Sequence, residues 1–240
     1  MSEIAKLKEL IEQSNNIVFF GGAGVSTESG IKDFRSEDGI YNMKFDYPPE
    51  YMLSHEFFVK HPKEFFEFYR TMMLCDGVDP NPAHYALAKL EEMGKLLAVI
   101  TQNIDGLHQK AGSKTVYELH GTTLKNYCYR CGKAYGAEFV KDYTEVPYCD
   151  CGGIVKPDVV LYGEQLNGKT LEKAIDAIAQ ADLLIVGGTS LTVYPAAGLI
   201  EYYGGSELVL INRDATPYDS RATLIIREPV GKTLGSAVLE

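Results

Sequence analysis

The stretch from Ile17 to Arg35, IVFFGGAGVSTESGIKDFR, constrains this chain more than any other. Ile17, Val18, Phe19 and Phe20 form a short continuous apolar run, the pattern of a buried strand. Gly21, Gly22 and Gly24 follow at once. A strand that runs into glycines lets main-chain N–H groups approach a phosphate closely, because no Cβ stands in the way. Ser26, Thr27 and Ser29 are placed to cap a following helix or to bond a ligand. Asp33, Phe34 and Arg35 then set an acid, an aromatic face and a cation side by side. The pattern reads as a nucleotide diphosphate site. The same glycines also serve an unliganded strand-to-helix turn, so this stretch alone leaves both readings open.

The glycine spacing is not that of a dinucleotide fingerprint. G-x-G-x-x-G anchored on Gly22 and Gly24 needs a glycine at 27, where Thr27 stands, and a start at Gly21 fails at Ala23. No acidic residue closes a second strand about 20 residues on; Asn42 is there, in a loop bearing tyrosines and prolines. A hydride-transferring dehydrogenase is therefore disfavoured.

At 240 residues the chain suits one domain, or a main domain with a small insert, and needs no covalent staple for stability. Its 33 acidic against 23 basic residues give a net charge of −10, which argues against sequence-independent nucleic-acid binding and welcomes a basic peptide. Lys6 and Lys8 sit in an amphipathic helix pattern with Leu7, Leu10 and Ile11, not in a targeting signal, and no apolar run approaches a membrane span. Five cysteines, four of them clustered, point to metal rather than disulfides, and the default compartment is the cytoplasm.

Along the chain, residues 3 to 14 read as a helix. Residues 36 to 75 are aromatic, broken at Tyr47-Pro48-Pro49 and helical from Ser54 onward through Phe57, Phe58, Phe65, Phe66, Phe68, Met72 and Met73. This is core material that can also wall an apolar tunnel. Asn81-Pro82 opens another helix, ended by Gly94, and LLAVIT at 96–101 is a second buried strand. Gln102, Asn103 and Asp105 follow that strand directly, where open α/β sheets hold ligands, although Asn and Asp are also ordinary turn formers. His120 precedes a glycine in VYELHG and is open to a structural or a catalytic reading.

Cys128 and Cys131 form C-x-x-C, 17 residues separate Cys131 from Cys149, and Cys149 and Cys151 form C-x-C. Two close pairs across a short insert match a tetrahedral Zn(Cys)4 knuckle, a closed structural site with no position for a catalytic water. The second pair is one residue tighter than usual. Residues 154 to 164 form a strand-like run, followed by a helix, the strands 182–190, 207–214 and 222–228, a helix from near Pro195 and a closing helix over 231–240. Strands alternating with helices argue a parallel sheet covered on both faces. The expected architecture is α/β: a Rossmann-like sheet with helices on both faces, and a smaller lobe made of a helical insert and a zinc-ribbon insert. The expected boundaries are 1–35, 76–123 and 157–240 for the large lobe, and 36–75 and 124–156 for the small one.

GAGVSTESGIKDFR, TQNIDGLH, ELHG, the paired cysteines, KPDVVLYGE, GTSLTVYPA and INRD stand in this order over essentially the whole length. With these motifs the chain resembles the sirtuins, the NAD-dependent protein lysine deacylases. The resemblance implies that Gly22, Ala23, Gly24 and Ser26 face NAD phosphates and that Asp33, Phe34 and Arg35 border the nicotinamide ribose. Gln102, Asn103 and Asp105 match the ribose and nicotinamide surroundings, and Gly188, Thr189, Ser190 and Asn212 the adenosine half. His120 matches the general base, with Asn103 and Asp105 completing the catalytic set. Val159, Leu161, Tyr162, Gly163, Glu164 and Val193 match walls that receive an acyl-lysine peptide by backbone pairing.

The implied activity transfers an acetyl or other neutral acyl group from lysine to ADP-ribose, releasing nicotinamide, with Zn2+ structural at Cys128, Cys131, Cys149 and Cys151. The alternative is a protein mono-ADP-ribosyltransferase using the same site. The expected partners are acyl-lysine proteins or peptides, with no nucleic acid and no membrane, and the expected state is a monomer. Three residues depart from the family's usual ones: Lys32 for proline, Lys156 for arginine and Tyr162 for phenylalanine. Tyr69 has Met72 three residues on, not the arginine of succinyl-preferring members, so a neutral acyl group is expected.

Overall fold

The computed structural model describes residues 2–75 and 77–240. Its strands in chain order are β1 (Ile17–Gly21), β2 (Leu96–Thr101), β3 (Val116–Glu118), β4 (Gly121–Cys128), β5 (Ala134–Gly136), β6 (Val155–Val159), β7 (Leu183–Gly187), β8 (Glu207–Ile211) and β9 (Leu224–Ile226). The α-helices are α1 (Glu3–Gln13), α2 (Pro49–Met52), α3 (His55–Lys60), α4 (Pro62–Met72), α5 (Pro82–Glu92), α6 (Leu107–Lys110), α7 (Ala137–Lys141), α8 (Gly168–Gln180) and α9 (Val230–Val238). Six strands make a parallel sheet in the order β3-β2-β1-β7-β8-β9, and β5-β4-β6 make a separate antiparallel sheet. The larger order reverses at β1 and β7. Ligands in open α/β sheets sit at such a switch point, beyond the carboxyl ends of the strands.

Side chains alternate across a strand, so the continuous apolar runs feed two cores at once. Val18 and Phe20 of β1, Leu184 and Val186 of β7, and Leu208 and Leu210 of β8 enter one core with Ala174, Ala177 and Ile178 of α8. Phe19, Leu183, Ile185, Val209 and Ile211 enter the other, with Leu7, Leu10 and Ile11 of α1, Leu87 and Leu90 of α5, and Leu234 of α9. Helices therefore cover both faces. A third core joins Phe57, Phe58, Phe65, Phe66 and Tyr69 of the helical insert to Cys128, Cys149, Val155, Val159 and Leu161. The two inserts thus share one core. No helix among the described residues is long and apolar enough to cross a membrane.

Local chemistry sets several element ends. Asn81 Oδ1 accepts from Ala83 N at 2.9 Å, and His84 Nδ1 accepts from Asn81 N at 3.1 Å, closing the first turn of α5. Glu28, in the glycine-rich stretch, caps α9 through the N–H groups of Gly231 (2.5 Å) and Lys232 (3.1 Å), where the positive end of the helix dipole favours a carboxylate.

Several expected elements come out shorter or different, among them the strands 182–190 and 207–214, which are Leu183–Gly187 and Glu207–Ile211. The run 154–164 is a strand only to Val159 and pairs with β4, outside the parallel sheet. Pro157 donates no ladder hydrogen bond and Gly163 turns the chain at φ +88°. The helix expected near Pro195 is a 3₁₀ helix, Ala196–Tyr202, with Gly198, a poor α-helix former, within it. The last strand keeps only Leu224–Ile226 of 222–228.

One buried pair makes stability depend on pH. The rings of His84 and His108 lie 4.7 Å apart at 0% and 1% exposure. Among the described residues, neither nitrogen of His108 has a hydrogen-bond partner, nor does Nε2 of His84. Burial pushes His84 down to about 4 and His108 to about 3 from an ordinary 6.5. Both are neutral in the fold and gain protons only on unfolding. Their contribution is complete above pH 6.5 and is lost as pH falls toward those values. Urea denaturation at pH 7 and pH 5 is expected to differ by roughly 2 kcal/mol for each ring that stays neutral. Equal stabilities at the two pH values would contradict buried neutral imidazoles.

Candidate active site

The loops after β1 and β7 meet backbone to backbone. Gly22 N donates to Gly187 O at 3.2 Å and Gly24 N to Gly188 O at 2.8 Å. A Cβ on Gly24 would stand 2.8 Å from Gly188 Cα, and one on Gly188, at φ +59°, 2.4 Å from Val25 N. Only glycine fits at either position. Among the described residues, no main-chain carbonyl takes the N–H of Ala23, Thr189 or Ser190. These donors sit at the carboxyl ends of neighbouring parallel strands, a setting suited to phosphate oxygens.

Beside them a polar cluster closes through Ser26, which is 1% exposed. Its hydroxyl donates to Asp105 Oδ2 at 2.7 Å and accepts from Asn103 Nδ2 at 3.1 Å. Asp105 Oδ1 accepts from Leu107 N at 2.9 Å, and Asn103 N donates to Thr101 Oγ1 at 3.0 Å. Gln102 Nε2 donates to Thr189 Oγ1 at 2.9 Å, linking the turns after β2 and β7. The side chains after β2 are thus oriented before any ligand arrives.

His120 is held by its neighbours in sequence and space. Gly121 has φ +76°, and a Cβ there would fall 2.0 Å from Asp158 O, so ELHG requires its glycine. His120 O accepts from Val160 N at 2.9 Å. His120 Nδ1 lies 3.0 Å from Gln102 O. A carbonyl only accepts, so Nδ1 carries the proton and Nε2 keeps its lone pair. Burial lowers the imidazole from its ordinary value, with the Gln102 carbonyl partly opposing. His120 is therefore a neutral base at pH 7.

The segment carrying Asp33, Phe34 and Arg35 is stiffened without the proline that Lys32 replaces. Asp33 Oδ1 accepts from Arg35 N (3.0 Å) and Ser36 N (2.8 Å). Ile40 N and Tyr41 N, both at 2.9 Å, donate to Asp33 O and Phe34 O. Opposite, Tyr41 Oη lies 2.7 Å from Tyr162 Oη, so the hydroxyl that distinguishes Tyr162 from phenylalanine is spent on the facing loop. Ser190 Oγ lies 2.8 Å from Thr192 Oγ1, and Asn212 Nδ2 donates to Asp214 O at 2.9 Å.

One cleft of about 350 Å3 gathers Gly22, Ala23, Gly24, Ser26, Asp33, Phe34, Arg35, Gln102, Asn103, Asp105, His120, Gly188, Thr189, Ser190 and Asn212 with Val159, Leu161, Tyr162, Gly163, Glu164 and Val193. Met72 and Met73 of the aromatic segment also line it. So do Tyr41, Ile104, Cys75 and Arg213, which no motif had singled out as site residues. Cys75 is half-buried on the cleft wall, three residues beyond the last residue of α4. Tyr41 lies in the irregular aromatic loop, where periodicity carries no signal.

The four cysteine sulfurs converge within 4.8 Å of one another. Cys128 Sγ lies 3.4 Å from Cys151 Sγ, and Cys131 Sγ 3.7 Å from Cys149 Sγ. Sulfurs bound tetrahedrally to zinc at about 2.3 Å stand about 3.8 Å apart, so this donor set fits Zn2+. The N–H groups of Arg130 and Cys131 both point to Cys128 Sγ at 3.4 Å, stabilising a thiolate. The tight C-x-C pair is accommodated because Gly152, at φ +79°, closes a turn in which Gly152 N donates to Cys149 O and Cys149 N to Gly153 O, both at 2.8 Å.

A Sir2 family model matches residues 22–195. The chain belongs to the Sir2 family. This Sir2 chain is 58% identical to the NAD-dependent protein deacetylase of Clostridium acetobutylicum over 99% of both chains. It is 46% identical to the one of Staphylococcus aureus over 100% of this chain and 99% of the other. Among solved structures, it matches a Sir2–p53 peptide–NAD+ complex at a TM-score of 0.85 and 42% identity, covering 98% of this chain and 96% of that one. A Sir2 homologue–NAD complex matches at 0.89 and 38%, covering 98% and 92%. The likeness spans the parallel sheet and both inserts alike.

Proposed function

We propose that this Sir2 protein is an NAD-dependent protein lysine deacetylase, removing acetyl or other neutral acyl groups. The observation that carries the reading is one cleft in which a neutral histidine shares space with strand-end N–H groups and the Asn103–Ser26–Asp105 cluster, the histidine Nε2 and those N–H groups having no partner among the described residues. When bound, NAD supplies a glycosidic bond whose cleavage leaves an electrophilic ribose carbon and releases nicotinamide.

The chain's own residues have distinct tasks in this reading. Ala23, Thr189 and Ser190 offer N–H donors to the phosphates, with Gly22, Gly24 and Gly188 permitting the close approach. Asn103 and Asp105 orient the nicotinamide end, and Asp33, Phe34 and Arg35 cover the ribose. Asn212 holds the adenosine half. With NAD and the acyl-lysine bound, His120 Nε2 would take the proton of a ribose hydroxyl, so that this oxygen could accept the acyl carbon while the acyl–nitrogen bond breaks and the lysine amine leaves. Val159, Leu161 and Tyr162 enclose the uncharged acyl-lysine stem, and Gly163, Glu164 and Val193 receive the peptide backbone. Zn2+ on the four cysteines is structural.

The reading extends to a monomer in a reducing compartment, the cytoplasm, where clustered thiols stay available to metal. The helical and zinc inserts, with their shared core, act as a small lobe over approximately residues 36–75 and 124–156.

Mass spectrometry of an acetyl-lysine peptide tests it. With NAD the peptide is expected to lose its acetyl group, with nicotinamide and O-acetyl-ADP-ribose as co-products. ADP-ribose attached to protein, with the acetyl-lysine intact, would replace this reading by mono-ADP-ribosyl transfer.

A further inference from the structure

Lys156 is the most deeply buried charge beside the cleft, at 1% exposure. Its Nζ donates to Val159 O at 2.7 Å and Pro157 O at 3.3 Å, and pairs with Glu164 Oε2 at 3.1 Å. The three ammonium hydrogens thus find three acceptors. Glu164 is also fully used. Oε2 accepts from Leu161 N at 2.9 Å, and Oε1 lies 2.9 Å from His55 Nδ1. Since a carboxylate accepts, His55 Nδ1 donates, and His55 Nε2 faces the Tyr129 hydroxyl at 3.4 Å. Tyr129 lies between Cys128 and Cys131 in the knuckle.

Together these contacts pin the turn from Val159 to Glu164. Tyr162 N donates to Leu53 O and His55 N to Tyr162 O, both at 2.9 Å, so the start of the helical insert pairs with the turn directly. Val160 N is taken by His120 O and Glu164 N by Leu161 O. Among the described residues, Gly163 N and O have no main-chain partner. These contacts fix the turn on either side of Gly163, which is exposed.

We propose that Lys156, Glu164 and His55 form a positioning network that preorganises the turn Val159–Glu164 for the acyl-lysine peptide and ties it to the zinc knuckle through Tyr129. The proposal deepens the deacetylase reading and rests on it. Without the buried cation, Val159 O and Glu164 lose their common anchor. The turn then has to be ordered by the peptide itself, which weakens peptide binding and leaves the phosphate loops untouched. A lysine does here what a guanidinium would do with more donors, so arginine restores the function.

The test measures binding of a fluorescent acetyl-lysine peptide by anisotropy, and of ADP-ribose by calorimetry, for Lys156→Met, Lys156→Arg and His55→Ala. Lys156→Met is expected to weaken peptide binding by about 10- to 100-fold, the range for one lost hydrogen bond to a charged group, with ADP-ribose binding unchanged. Lys156→Arg is expected to bind both as the parent does. His55→Ala, at the accessible end of the network, is expected to weaken the peptide alone by about threefold or more. If Lys156→Met does not fold, His55→Ala decides. Unchanged peptide affinity in a folded variant, or equal loss of peptide and ADP-ribose, overturns the network. Failure of the parent protein to deacetylate the same peptide with NAD overturns the underlying reading instead.

Discussion

Substituting His120 by alanine is expected to lower kcat for deacetylation by about 10²- to 10⁴-fold, the usual contribution of a positioned general base. Acetyl-peptide and NAD binding should change little, because the His120 ring hydrogen-bonds only to the main-chain Gln102 O among the described residues, and that carbonyl stays in place without it. The pH dependence follows from the same geometry. The neutral imidazole is the active form, and burial lowers its protonation below the ordinary 6.5. The acid limb of kcat/KM for the parent protein is therefore expected below pH 6.5, and activity should be near its plateau at pH 7. Steady-state rates from pH 5 to 8 check this. A His120→Ala protein with full activity would remove the base from its role.

Removing zinc is expected to have the second large effect. Structural zinc in small cysteine sites contributes about 10–16 kcal/mol, far more than a three-stranded sheet supplies by itself. Cys128 and Cys149 are also part of the third core, with Val155, Val159 and Leu161. Chelation, or Cys149→Ser, should therefore unfold β4, β5 and β6 and loosen the peptide turn, abolishing deacetylation. The parallel sheet has its own two cores and should persist. Limited proteolysis is expected to cut within 124–156 while ADP-ribose binding partly survives, with metal release followed by a zinc-sensitive dye. Metal-free protein that stays fully active and resists the protease would show that the metal is not structural.

Much of this architecture was legible because its causes are local. The runs IVFF, LLAVI and LLIV announce buried parallel strands by continuous apolarity, and the structure splits each of them between two cores. The cysteine spacing announced its site, since four thiols in two close pairs have few other uses. Gly121 in ELHG was visible as a residue, but the reason for it was not. That reason is the approach of Asp158 O, 37 positions later in sequence, to 2.0 Å of where a Cβ would stand.

The sequence by itself determined the fold class, the strand-end placement of Asn103 and Asp105, and the zinc ligands, because strand periodicity, turn chemistry and metal spacing act over short stretches. Tertiary structure alone decided that Nε2 is the basic nitrogen of His120, since Gln102 O selects the tautomer. It also spent the Tyr162 hydroxyl on Tyr41, and joined Lys156, Glu164 and His55 across more than a hundred residues. Those pairings depend on which polar groups are buried facing each other, and burial is a property of the packed chain.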